Sequence, residues 1–186
     1  MRVMPTLEGG LKIDVETATD WLVLEQIAPD ALEGGAEKLP SRLGALMDEE
    51  SDWDEMVIPE LQEFFSGQLR KVIETVVIAQ RNADKNREIN QDKAKHQAEP
   101  KDQKADKKKK SEGDVPEGEV FIGRGEGAEW YGALNQARLA LERRYKFGPS
   151  HGVTEVESFS AAKRSAFIRS QFYCALQSVL LEHVLD

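Results

Sequence analysis

The chain has 186 residues, enough for one domain of ordinary size with a real hydrophobic core. Charged residues make up 32% of it and the net charge is −9, a balance that argues against general affinity for nucleic acid or anionic membranes, since phosphate contacts need clustered Lys and Arg. One cysteine, Cys174, excludes an intrachain disulfide and a multi-cysteine metal site. "MRVMPTLEGG" lacks the apolar core of a secretory signal, and no apolar run approaches the roughly 18 residues of a membrane span. A soluble, cytoplasmic protein is expected.

In chain order, "LKIDV" at 11–15 alternates apolar and polar residues, which places Leu11, Ile13 and Val15 on one face of a strand. With Gly9 and Gly10 as the turn, residues 2–15 read as a β-hairpin. Trp21, Leu24 and Ile27 or Ala28 recur at helical spacing and predict a helix over 17–28 that Pro29 stops. Ser41 is a cap for a short helix carrying Leu43, Leu46 and Met47. Asp52 and Glu55 have capping-box spacing. Pro59 predicts a break there, with the proline in the first turn of a new, longer helix. Leu61, Phe64, Phe65, Leu69, Val72, Ile73 and Val76 form the core stripe of that helix.

The composition then changes. From Arg81 to Asp114 there are 11 basic and 8 acidic residues, with Ile89 the only large aliphatic. A segment with so little apolar surface cannot offset its ordering entropy, so residues 82–115 are expected to be a charged flexible insert whose first part, to about 95, continues the helix before it. Residues 1–81 supply the hairpin and first helices. Residues 116–186 supply the last two helices, packing with 1–81 as one domain. "EVFI" at 119–122 is a short strand candidate. "WYGALNQARLALERRY" is a strong helix with a core stripe of Trp130, Leu134, Ala137, Leu141 and Tyr145. Thr154 and Glu157 form a second capping box for a last helix to about residue 184. Phe167, Ile168, Phe172, Tyr173, Leu176, Val179 and Leu180 cover more than one of its faces, which places it in the middle of a bundle. The expected fold is mainly α: a single-domain bundle of four or five helices with a small N-terminal β-hairpin.

Candidate sites are few. Asn135, Arg138 and Glu142 form a polar stripe beside the core stripe of their helix, at spacings of three and four. As structure, Arg138 pairs with Glu142 and Asn135 meets a backbone group. As a site, the stripe holds a small molecule or nucleotide in a bundle cleft. Leu139, beyond the stripe, suggests that it is partly covered, and a covered Arg needs partners. "GRGEG" at 123–127 lies between a strand and a helix, as phosphate loops do. Its spacing is not G-x-G-x-x-G, no βαβ unit surrounds it, and Glu126 sits where an anion would go, so a flexible helix entry is the better reading. "KADKKKK" lacks aromatics for base stacking and reads as a solubilising linker rather than a specific nucleic-acid site. His96, His151 and His183 show no metal-ligand spacing, Cys174 reads as a small hydrophobe, and no metal or cofactor is expected.

Taken together, "IPELQEFFSGQLRKVIETV" and "EWYGALNQARLALERRY" resemble a bacterial family of unknown function, number two thousand and seventeen in the usual series of such domains. That family carries a W-x-x-x-LN-x-x-RL-x-L signature on its penultimate helix, matched here by Trp130, Leu134, Asn135, Arg138, Leu139 and Leu141. The charged insert at 82–115 is a departure from it. The resemblance implies no assigned activity and, through a frequent gene neighbour of relatives, a link to regulated proteolysis. The expected function is a protein-interaction or regulatory module without catalysis, with another protein as partner. The alternative is a small-molecule or nucleotide-binding protein, or an enzyme, built around Asn135, Arg138 and Glu142.

Overall fold

The computed structural model describes residues 1–32, 53–96, 117–148 and 156–185, with the backbone alone described at 54 and 93–96. The expected hairpin is present: β1 (Arg2–Pro5) pairs antiparallel with β2 (Leu11–Val15). Gly9 takes a positive φ of 79°, a conformation that costs glycine nothing, and the turn closes through Thr6 N–H to Gly10 O at 2.8 Å. The hairpin does not stand alone. β3 (Gly118–Ile122) pairs antiparallel along the free edge of β2, with Leu11 opposite Ile122 and Val15 opposite Gly118, giving a three-stranded sheet in the order β1-β2-β3. Leu11, Ile13, Val15, Val120 and Ile122 form its buried face, as the alternation requires. On the other face Lys12 reaches Asp14 at 2.9 Å and Glu119 at 3.0 Å.

Thr17 caps α1 (Ala18–Glu25) in a capping box with Asp20. The expectation that Pro29 stops this helix is corrected. α1 ends at Glu25 with Gln26 as its C-cap, and Pro29 sits in the first turn of a new helix, α2 (Ile27–Leu32), where its missing N–H has no intrahelical partner to lose. The Ser41 helix and the Asp52 cap lie outside the described residues. A wide π-type turn at Trp53–Val57 leads into α3 (Ile58–His96), and Pro59 lies in the first turn of that helix, as expected. Leu69, Val72 and Val76 of the predicted stripe are buried and Ala79 and Ala83 extend it, whereas Phe64 and Ile73 are exposed, a correction to the stripe. Those two lie on opposite flanks of the buried row, beyond the width of the neighbours packed against it.

The 3-10 turn Arg124–Glu126 joins β3 to α4 (Gly127–Tyr145). Trp130, Leu134, Ala137 and Leu141 of α4 are buried, and Tyr145 is half-buried. α5 (Ala161–Leu180) starts later than expected. Val156–Ser158 is a separate 3-10 turn, Ser160 is the cap, and Thr154 lies outside the described residues. Tyr173, Leu176 and Leu180 of α5 are buried, but Ile168 is exposed, so this helix flanks the bundle instead of occupying its middle. α4 holds the middle, packing against α2, α3 and α5 at once. One continuous core joins residues of the sheet, α1 to α5 and the turn Leu181–Leu185.

Candidate functional site

The polar stripe of α4 does not gather into one place. Arg138 Nη1 donates to Gln177 Oε1 of α5 at 2.5 Å, and the buried Gln177 in turn donates to Tyr131 O at 3.1 Å. Glu142 points the other way: its Oε1 accepts the Gly148 N–H at 3.1 Å. Together with Lys146, left-handed at φ 49°, that contact closes the C-terminal end of α4. Asn135 is half-buried, and its side chain makes no hydrogen bond to another described residue. Leu139, expected to help cover the stripe, is exposed. Neither described cavity is lined by Asn135, Arg138 or Glu142.

A tighter polar network lies elsewhere, between α2 and α5. Asp30 is only 2% exposed. Its carboxylate receives Arg169 Nε at 2.7 Å on Oδ2 and Arg169 Nη2 at 2.7 Å on Oδ1, a bidentate pair. Tyr173 donates to Oδ2 at 2.9 Å, and Arg169 Nη1 reaches Ser165 at 3.0 Å. Arg169 and Tyr173 are four residues apart and share a face of α5, so one side of one helix supplies all three donors. Burial, and then the Asp30 charge beside it, push the Tyr173 phenol far above its ordinary range, while the Asp30 hydrogen bond raises Arg169. Every strong acceptor is matched, so the network fastens helices and offers nothing to a ligand. The signal for it in the sequence was an Asp between apolar neighbours in "IAPDAL", with an Arg and a Tyr at helical spacing far away.

The opposite situation holds where α3 meets the entry to α4. Glu63, Phe64, Gly67, Gln68 and Lys71 of α3, with Gly125, Glu126 and Glu129, line a groove of about 480 Å³. Its floor is built by a close approach of the two helices: a Cβ on Gly132 would collide with the Gln68 amide. Gln68 is buried there and accepts from Gln136 Nε2 at 2.8 Å. Glu126 is fully occupied, its Oε1 by Lys71 Nζ at 2.8 Å and its Oε2 by the Gly123 N–H at 3.1 Å. Burial acts to raise its carboxyl, but Lys71 and the Gly123 amide outweigh it and hold the group below its ordinary range. The "GRGEG" stretch is therefore a helix entry whose anion position is filled by its own carboxylate. Glu129 differs: its Oε2 is buried and has no hydrogen-bond partner among the described residues. Among the described residues Glu63 pairs with Arg70, 3.8 Å away on the exposed helix surface, a pair worth little.

Of the other candidates, His96 is the last residue of α3 and His151 lies outside the described residues. His183 lies 3.9 Å from Glu182, and Cys174 is a half-buried free thiol. No group of three or more metal-ligating side chains occurs among the described residues. No described helix is long and apolar enough to cross a membrane. α3 is the largest unusual feature: its last buried residue is Ala83, and no described side chain from 84 to 92 is buried. The helix continues to His96, which at 1.5 Å per residue carries it about 20 Å past that point. Comparison with known proteins gives no match, either to a family model, to a curated protein or to a solved structure.

Proposed function

We propose that this protein is a protein-interaction module without catalysis, acting in the cytoplasm, and that α3 presents its docking surface. The observation that carries this reading is the apolar row on the outer flank of that helix. Phe64, Ile78 and Ile89 are 60%, 51% and 50% exposed, and at 100° per residue they lie within about 40° of one another. Two large aliphatics and an aromatic on one flank, running onto a stretch of helix with no buried described side chain, suit the helix-in-groove mode of recognition. Placed in water they gain nothing for the fold.

The test is affinity purification of the full chain from its native cell beside the double variant Ile78→Glu/Ile89→Glu. Both positions are solvent-facing, so the variant should melt at the same temperature as the parent. A discrete protein recovered with the parent and lost with the variant is the expected result. An unchanged set of recovered proteins would sink the proposal.

A further inference from the structure

We propose that the groove between α3 and the entry to α4 receives an arginine side chain from a peptide segment of the partner protein. This deepens the interaction reading given above and rests on it. The charge in the groove is unbalanced: Glu63, Glu126 and Glu129 face one ammonium, Lys71, and that ammonium is committed to Glu126 at 2.8 Å. Glu129 keeps a buried carboxylate oxygen that no described group satisfies. Such an oxygen is costly to leave unpaired, and a cationic donor entering the groove removes the cost. Glu129 as a whole is only half-buried, so its side chain borders the groove and not the closed core.

A second observation is independent of charge. Gly67 lies inside α3, where glycine destabilises a helix relative to alanine. A Cβ there would meet nothing within 4 Å, and the same is true of Gly125 across the groove. No packing among the described residues requires either glycine. Their effect is to keep the groove open to another backbone or side chain. Phe64 at the rim is more than half exposed, its ring edge-on to Phe65 at 5.6 Å, and so offers an aromatic face to a cation. Guanidinium suits this setting better than ammonium: it matches a carboxylate with two parallel N–H donors, stacks on an aromatic ring and sheds water more readily.

The experiment presents the full-length protein with heptapeptide pools randomised at six positions and fixed at the centre as Arg, Lys, Gln or Glu. The Arg pool should be retained most, the Lys pool less, and the Gln and Glu pools at background. Retention of the Arg pool should fall at least about tenfold in Glu129→Gln, which removes a charge-assisted pair, and also in Phe64→Ala. Gly67→Ala should weaken retention while leaving the protein at least as stable as the parent, which separates a blocked groove from a damaged fold. Arg retention that survives Glu129→Gln, equal retention of the Gln pool, retention of no pool, or displacement of the Arg pool by equimolar spermidine would overturn the inference. So would dimer formation in sedimentation that Phe64→Ala abolishes, because the occupant would then be a second copy. The outer-row variant at Ile78 and Ile89 leaves the groove intact. Partner capture that still depends on that row while no pool binds would therefore remove this inference and keep the interaction reading.

Discussion

The Asp30–Arg169–Tyr173 network and the groove at Glu129 both place carboxylates in partly dry surroundings, and they are opposites in how those carboxylates are answered. Asp30 receives three hydrogen bonds of 2.9 Å or less from one helix face. Glu129 has a buried oxygen with no described partner, beside glycines that no described contact requires. A closed network resists the removal of any member, whereas an open one tolerates it, because its residues contribute little to the fold. Stability measurements on each therefore separate residues that fasten the bundle from residues that contribute little to it.

The largest effect should follow Arg169→Met. It strips two donors from a carboxylate that is 2% exposed, and chemical denaturation should show a loss of about 3–5 kcal/mol. A loss under about 1 kcal/mol would mean that the network is not the fastening described here. Arg138→Ala comes next, at about 1–2 kcal/mol, since it leaves the buried Gln177 carbonyl without its donor. Arg138→Met should cost nearly as much, because the orphaned acceptor remains.

In the groove the signs change. Gly67→Ala should stabilise the protein by about 0.5–1 kcal/mol, read from the same denaturation curves. Destabilisation would show that the backbone there needs glycine after all, and the contrast would blur. Glu129→Gln should be neutral or slightly stabilising, because it removes the charge from a buried oxygen that no described group answers.

The smallest effect is a pH dependence. Glu126 titrates in the folded state below the roughly 4.3 of an unfolded glutamate. Its contribution is complete above about pH 5, and it is lost as the pH falls through the folded value, because the unfolded chain takes up the proton first. Glu126→Gln should thus flatten the acid limb of the stability curve slightly, and, because Glu126 also raises Lys71, soften the fall on the far alkaline side where that lysine loses its proton.

Much of the framework was legible in the chain. The "LKIDV" alternation marked the buried face of β2, Pro59 marked the start of α3, and Trp130, Leu134, Ala137 and Leu141 marked the face of α4 on which the bundle is built. Local patterns of this kind succeed because period and capping are properties of neighbouring residues. Pro29 misled because proline is compatible with the first turn of a helix, and the break at Gln26 that created such a turn carries no strong local signal. Phe64 and Ile73 misled because hydrophobicity reports what a residue favours, and only the width of the packed neighbours decides how much of a helix is covered.

The sites were less legible. Asn135, Arg138 and Glu142 share a stripe, yet a stripe says nothing about which neighbour each side chain will meet: Arg138 turns to Gln177, while Glu142 closes the helix end. The residues that do converge are far apart in the sequence. Asp30 meets Arg169, Gln68 meets Gln136, and Lys71 meets Glu126. By itself the sequence determined the acidic balance, the elements and their apolar faces, because these follow from composition and from spacings within a few residues. Tertiary structure alone decided that β3 closes onto β2, that α4 takes the central position, and which carboxylates are answered. Each of those depends on side chains brought together across the fold, where burial makes a matched charge a fastening and an unmatched one a demand.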